Sequence, residues 1–354
     1  MSAAARVNEL TQCPVPRVET ERVLLGHGSG GQLMAELLAD VIGPALGTEH
    51  PLEDAAIVDV GAAENEIVFS TDSFVVTPRF FPGGDIGSLA VHGTVNDLAM
   101  RGARPVALSL AYIVEEGLPL AELRRITASA AEAARAAGVR VVTGDTKVVE
   151  RGGADGIYLN TTGIGVRPPG PDPSATGGRP GDVVLLSGPI GLHGITILSA
   201  REDLGFDSDI ASDSRPLHHL VARMTAAGGP GVHALRDPTR GGLATALNEL
   251  AESSGVSIDL VEADIPIPPP VAAACDLLGL DPMQVANEGC LVALIAPEVA
   301  DAVLAAARSG PEGPQARVIG RVGDGPAGLV TAETLVGSRR IVGTLVGEQL
   351  PRIC

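Results

Sequence analysis

The chain has 354 residues, enough for two domains of ordinary size, each with its own core. Hydrophobic residues make up 45% and mean hydropathy is +0.26, which excludes a disordered chain; aromatics are 2% with no Trp, which excludes base-stacking platforms. A net charge of −18 repels nucleic acid, although a local cradle with Mg²⁺ can still hold a single nucleotide.

Residues 1 to about 25 are a polar, Pro-containing lead-in with no signal core, and no run of about 18 apolar residues follows, so a cytoplasmic chain without a membrane segment is expected. Gly26-His27-Gly28-Ser29-Gly30-Gly31 then runs into residues 32–38, apolar at helical spacing. Short strands are predicted over 55–60 and 66–71, a helix over 86–101 and a strand over 106–114. An Ala-rich helix over 120–137 closed by Gly138 leads to strands over 139–143 and 157–166. The Pro- and Gly-rich stretch 167–182 reads as a linker. A second unit opens with strand 183–186 and carries helices near 192–200, 217–226 and 243–254, with 266–270 as a stiff proline spacer. Similar endings, Gly163-Ile164-Gly165-Val166 and Ile319-Gly320-Arg321-Val322, point to a related pair of domains. The expected organisation is an α/β chain: 1–166, linker 167–182, 183–342, and a flexible tail 343–354.

Six features carry chemistry. Gly28, Ser29, Gly30 and Gly31 can wrap phosphate oxygens with backbone N–H groups, or simply form a turn before a helix; no Walker Lys-Ser/Thr follows. Asp54, Asp72, Asp97 and Asp145 read as four carboxylates, three of them at strand–loop junctions, where α/β folds place ligands. Converging carboxylates need a cation between them, and Mg²⁺ with nucleotide phosphates supplies one; each Asp alone also suits a turn or helix cap. Lys147 is the one lysine among 25 basic residues, so its compact ammonium marks a place where a planar guanidinium would not serve. The four cysteines (Cys13, Cys275, Cys290, Cys354) have no zinc or disulfide spacing, but Cys354 ends the chain on a glycine-containing stretch, either as a frayed end or as a thiol that swings like a carrier arm. Arg236-Asp237-Pro238-Thr239-Arg240-Gly241-Gly242 is a second possible anion cradle, and Glu288 in Asn287-Glu288-Gly289 reads on its own as a solvated turn residue.

Together these motifs, with Val91-His92-Gly93-Thr94-Val95-Asn96-Asp97, Gly144-Asp145-Thr146-Lys147 and the terminal Pro351-Arg352-Ile353-Cys354, resemble the HypE family of hydrogenase maturation factors over nearly the whole chain. That family sits in the superfamily of aminoimidazole ribonucleotide synthetase and selenophosphate synthetase. The resemblance implies that a carbamoyltransferase, HypF, loads a carbamoyl group on the terminal thiol. ATP then drives its dehydration to thiocyanate, and the cyano group passes to iron on a HypC–HypD scaffold. It implies Asp54, Asp72, Asp97 and Asp145 at Mg²⁺–ATP with Asn96 nearby, Lys147 stabilising charge, and Glu288 as the base. It also implies a homodimer whose first domains pool their strands into a closed β-barrel. One departure is Glu53 before Asp54, where many superfamily members carry an Asp pair. The competing readings are another ATP-using member, such as a selenophosphate synthetase, and a thiol carrier without catalysis. The first would want a reactive Cys beside a Lys, which Cys13 lacks.

Overall fold

The structure, a computed structural model, describes residues 32–37, 39, 55–58, 66–202, 210–344 and 352–354. The Gly28–Gly31 loop, Asp54 and Cys13 lie outside the described residues. A short helix α1 (Gln32–Leu37) precedes the first sheet. That sheet contains β1 (Ala56–Val58), β2 (Glu66–Phe74), β5 (Arg104–Glu115), β6 (Arg140–Val149) and β7 (Ile157–Arg167), in the order β1-β2-β7-β5-β6. A two-stranded hairpin, β3 (Phe80–Phe81) and β4 (Gly84–Asp85), leads into helix α2 (Ile86–Met100). Parallel β5 and β6 are joined by helix α3 (Leu120–Ala136), as a parallel pair requires a crossover.

The strands alternate in and out, and the inward set packs against α2. Along β7, Ile157, Leu159, Thr161, Gly163 and Gly165 are buried, whereas Tyr158, Asn160, Thr162 and Ile164 face the other side. Among the described residues no helix covers that other side: Phe69, Ile113 and Ile164 are each more than 40% exposed there. The edge strand β6 is exposed along almost its whole length. Among the described residues the sheet stays open and forms no closed barrel.

Asp85 starts α2 with a capping box, accepting from the N–H groups of Gly87 and Ser88 at 2.8 and 3.1 Å while the Ser88 hydroxyl accepts from Asp85 N–H. Twelve of its fifteen residues are buried, so no side of the helix is left to water. Its amino-terminal turns fill the first core beside Phe74, Leu108, Leu110 and Ile126, and its last residues, Ala99 and Met100, belong to the core of the second half.

The second half is a seven-stranded sheet of β8 (Val183–Leu186), β9 (Val232–Arg236), β10 (Ser257–Val261), β11 (Val292–Ile295), β12 (Arg317–Gly323), β13 (Val330–Glu333) and β14 (Arg339–Ile341), ordered β14-β13-β10-β12-β8-β11-β9. Helices α4 (Leu192–Glu202), α5 (His218–Gly228), α6 (Gly242–Ser254), α7 (Pro269–Leu278) and α8 (Ala300–Arg308) complete it. One face packs on α6 through Leu243, Leu247 and Leu250, the other on α5 and α8 through Leu220, Met224 and Val303. Strands β8 and β11 are therefore buried on both sides, which explains their unbroken apolar runs. The proline-rich stretch expected as a spacer instead starts a helix: Pro268 is the N-cap of α7 and Pro269 its first residue, where a missing N–H costs nothing. The stretch 167–182 is pinned to both halves: Arg101 reaches the carbonyl of Pro173 at 2.5 Å, and Ser174 N–H donates to the carbonyl of His233.

Candidate active site

A cavity of about 250 Å³ opens between the two halves, and Cys354 lines it with Asp72, Asp97, Arg240 and Glu288. From the first half come Thr71 and Asp72 on β2 and Gly93 and Asp97 on α2. From the second come the 236–240 loop, the first turns of α6, and Glu288. Asp72 lies inside β2 and Asp145 inside β6, rather than at the strand–loop junctions expected from sequence, while Asp97 lies in α2, within the helix predicted over 86–101. Ser70 donates to Asp97 at 2.7 Å and the Ser73 N–H to Asp72 at 2.7 Å, so both carboxylates are oriented. Gly93 is required by this close approach: a Cβ there would stand 2.9 Å from the Phe74 ring and 3.7 Å from an Asp72 oxygen.

Glu288 is placed by its neighbours. Asp213 accepts from the N–H groups of Glu288 and Gly289 at 3.1 and 2.9 Å, and Asn287 ties the turn to Pro238 and Gly191. The result is a carboxyl only 3% exposed, the reverse of the solvated turn its local sequence describes. Burial, then the nearby Asp237, Asp213 and Asp72, push its pKa well above the usual carboxylate range, with Arg240 opposing. Burial also raises Asp72. Arg240 is held charged, its pKa raised first by the Cys354 sulfur and then, against burial, by Asp72, Glu288 and Asp97. Burial pushes the Cys354 thiol up to about 12, partly offset by Arg240, so the resting sulfur is protonated at neutral pH.

The tail enters this cavity as a docked segment. Val75 N–H donates to the carbonyl of Cys354 and Thr77 N–H to that of Arg352, each at 3.1 Å, continuing past the end of β2. Ile353 is buried in the first core beside Ile197 and Ala286. The described part of the tail thus brings its sulfur to Asp72, Asp97 and Glu288. Residues 345–351 lie outside the described set.

Three expected site residues are elsewhere. Asn96 gives its amide to the backbone of the second half, donating to the Arg215 carbonyl at 3.1 Å and accepting from Leu217 N–H at 2.8 Å; it joins the halves rather than lining the cavity. Asp145 and Lys147 pair with each other at 3.0 Å on β6, more than 60% exposed, and that bond, with the Thr146 N–H, lowers the Asp145 pKa. The register runs Asp72–Thr161–Leu110–Gly144 across three strand spacings, on the order of 14 Å, and Asp145 and Lys147 then face the uncovered side of the sheet. Among the described residues no three His, Cys, Asp or Glu side chains group as a metal site. No helix among them is long and apolar enough to cross a membrane.

Sequence reasoning missed Asp213, which had no local signal because its partners lie about 75 residues on. It also missed Thr245, a cavity-lining residue in the first turn of α6 whose buried hydroxyl has no partner among the described residues.

Two family models match the chain: AIR synthase related protein, N-terminal domain, over residues 52–167, and the corresponding C-terminal domain over 179–332. Carbamoyl dehydratase HypE of Bradyrhizobium diazoefficiens is 54% identical over 332 residues, covering 93% of this chain and 95% of that protein. A HypE–HypF complex matches with TM-score 0.83 and 46% identity over 87% of this chain and 99% of the other. HypE in complex with ATP matches with TM-score 0.79 and 48% identity, covering 94% and 100%. With a family model over each half and relatives about half identical along nearly the full length, the chain belongs to the HypE carbamoyl dehydratase family of AIR synthase related proteins.

Proposed function

We propose that this protein dehydrates a carbamoyl group carried on its own Cys354 to a cyano group, using ATP, and so supplies the cyanide ligand for [NiFe] hydrogenase maturation. The observation that carries the reading is the position of the terminal sulfur in one cavity with Glu288, Arg240, Asp72 and Asp97. A non-catalytic carrier has no use for a buried carboxyl and guanidinium at its thiol.

The donors suit the implied cofactors. Mg²⁺ is usually held by one or two carboxylates together with phosphate oxygens, and Asp72 and Asp97 are an oriented pair of hard oxygen donors. The Thr245 hydroxyl, without a partner among the described residues, and the amino terminus of α6 suit an anion. ATP with Mg²⁺ supplies the phosphoryl group that turns the carbamoyl oxygen into a leaving group. Glu288 takes a proton from the carbamoyl nitrogen, and its burial gives it the proton affinity this weak acid demands. Arg240 faces the negative charge that develops on the departing oxygen. The nitrogen loses its two protons, one to Glu288 and one to the phosphate that leaves with the carbamoyl oxygen; the carbon–oxygen bond breaks, ADP and phosphate are released, and Cys354 retains the S–C≡N group.

The reading carries several further assignments. Asp54 and the Gly28–Gly31 loop complete the nucleotide site. Asp145 and Lys147 act on the neighbouring protomer of a homodimer, which the uncovered apolar sheet face and the open β6 edge support. The dimer pools the two sheets into a barrel, and the chain divides as 1–166, 167–182, 183–342 and a tail from 343. HypF is the loading partner, as the similarity to a HypE–HypF complex supports, and a HypC–HypD scaffold is the acceptor. Carbamoylated protein mixed with Mg²⁺–ATP is expected to lose the mass of one water from the peptide containing Cys354. An unchanged mass refutes the dehydratase reading.

A further inference from the structure

The three last carbonyls of the chain are all taken. The carbonyl of Cys354 accepts from Val75 N–H, and that of Arg352 from Thr77 N–H and from Arg201 Nη2 at 2.9 Å. The carbonyl of Ile353 accepts from His193 Nε2 at 2.6 Å. His193 and Arg201 stand near opposite ends of the same helix, α4, and Arg201 also holds the Thr77 carbonyl with two nitrogens at 3.0 and 2.8 Å. One helix therefore grips both the tail and the strand extension on which the tail lies.

The His193 tautomer follows from its surroundings. The Ile353 carbonyl can only accept, so Nε2 carries the proton given to the tail; Nδ1 of the neutral ring is then the acceptor, and Ser212 Oγ, which itself accepts from Ser214 N–H, donates to it at 2.8 Å. The ring is fully buried and set edge-on to Phe81, with centroids 5.6 Å apart. Ser212 is in turn fixed by its N–H to the carbonyl of Pro82. This donor is rigid and aimed at a main-chain atom, so it reads the presence of the tail rather than its side chains.

We propose that His193 and Arg201 are positioning residues that latch the tail backbone and seat the Cys354 sulfur against Glu288 and Arg240. The proposal rests on the dehydratase reading and adds a division of labour to it. The half-buried sulfur lines a cavity of about 250 Å³ between the halves, too small to admit the catalytic groups of a second protein, so loading requires the latch to open, whereas dehydration requires it to be shut. The two steps then depend on His193 and Arg201 with opposite signs, which a residue serving only the fold cannot produce.

The test uses the full-length chain. Alkylation of Cys354 by iodoacetamide at pH 8, followed by mass spectrometry of the terminal peptide, reports latch opening without any ATP chemistry. His193→Ala and Arg201→Ala are expected to speed alkylation at least tenfold, to speed carbamoyl loading, and to slow single-turnover dehydration of loaded protein at least tenfold. His193→Gln keeps an N–H donor and is expected to recover much of both effects. If His193→Ala does not fold, Arg201→Ala carries the same expectations from the end of the helix. Unchanged alkylation, or loading and dehydration falling together, overturns the latch. Faster alkylation supports the latch even if the wild-type chain forms no S-cyano product, a result that would overturn only the dehydratase reading.

Discussion

Replacing Ile353 by Ala separates docking of the tail from stability of the body. Ile353 is 6% exposed and sits in the first core with Ile197 and Ala286. The change removes three carbons, and at ~0.8 kcal/mol each the lost burial comes to about 2.4 kcal/mol. Because the tail follows the folded body, that loss falls on the docking equilibrium, an opening of roughly 50-fold. The left-handed backbone at Arg352, with φ 57, costs about 1 kcal/mol and also favours release, leaving the hydrogen bonds from His193, Arg201, Val75 and Thr77 to hold the tail. Iodoacetamide alkylation of Cys354 is expected to rise by that factor, up to the rate of a free peptide thiol, with the melting temperature nearly unchanged. A rate within twofold of wild type, or a loss of melting temperature without faster alkylation, refutes the reasoning: Ile353 would then be a fixed part of the core.

Gly93→Ala sets two effects against each other: helix propensity favours Ala by up to about 1 kcal/mol, but a methyl 2.9 Å from the Phe74 ring overpacks by ~1–3 kcal/mol. A lower melting temperature by about 2–4 °C is expected, and a rise would show that Phe74 yields freely. Asp72→Asn is expected to weaken Mg²⁺–nucleotide binding by calorimetry at least tenfold; unaltered affinity removes Asp72 from that site. If each active centre borrows Lys147 from its neighbour, as proposed, mixed dimers of Lys147→Ala with Cys354→Ala are expected to dehydrate although either variant alone does not; inactive mixed dimers place Lys147 in the same chain as its Cys354. Burial holds His193 at about 4 against 6.5 for a free ring, so its contribution to stability is present above 6.5 and is lost as pH falls through about 4. That gap is worth at most roughly 3–4 kcal/mol, and urea unfolding at pH 7, 5 and 4 is expected to show a shallower loss in His193→Gln than in wild type.

Much of the fold was legible because burial writes itself into local pattern. The apolar run at 183–186 and the Ala-rich stretch at 120–137 mark their elements within a few residues. The site was legible as a set of motifs and not as an arrangement. Asp72 and Asp145 look alike in sequence, each an acidic residue by a β-type run, yet strand parity turns one toward α2 and the other to the open face. Glu288 reads as a turn because its burial is made by Asp213 and the 236–240 loop, contacts that no local window contains. His193 gave no signal at all, since its partner is the last stretch of the chain, 160 residues away.

Helix α2, with no side left to solvent, has a mechanical consequence. Its amino-terminal turns are locked into one sheet and its carboxyl end into the packing under the other, with Asn96 bolted to the second half between them. A jaw-like closure would have to tear that helix from one of its beds. The body therefore acts as a fixed anvil, and under the proposed latch it is the terminal segment that brings the workpiece to it.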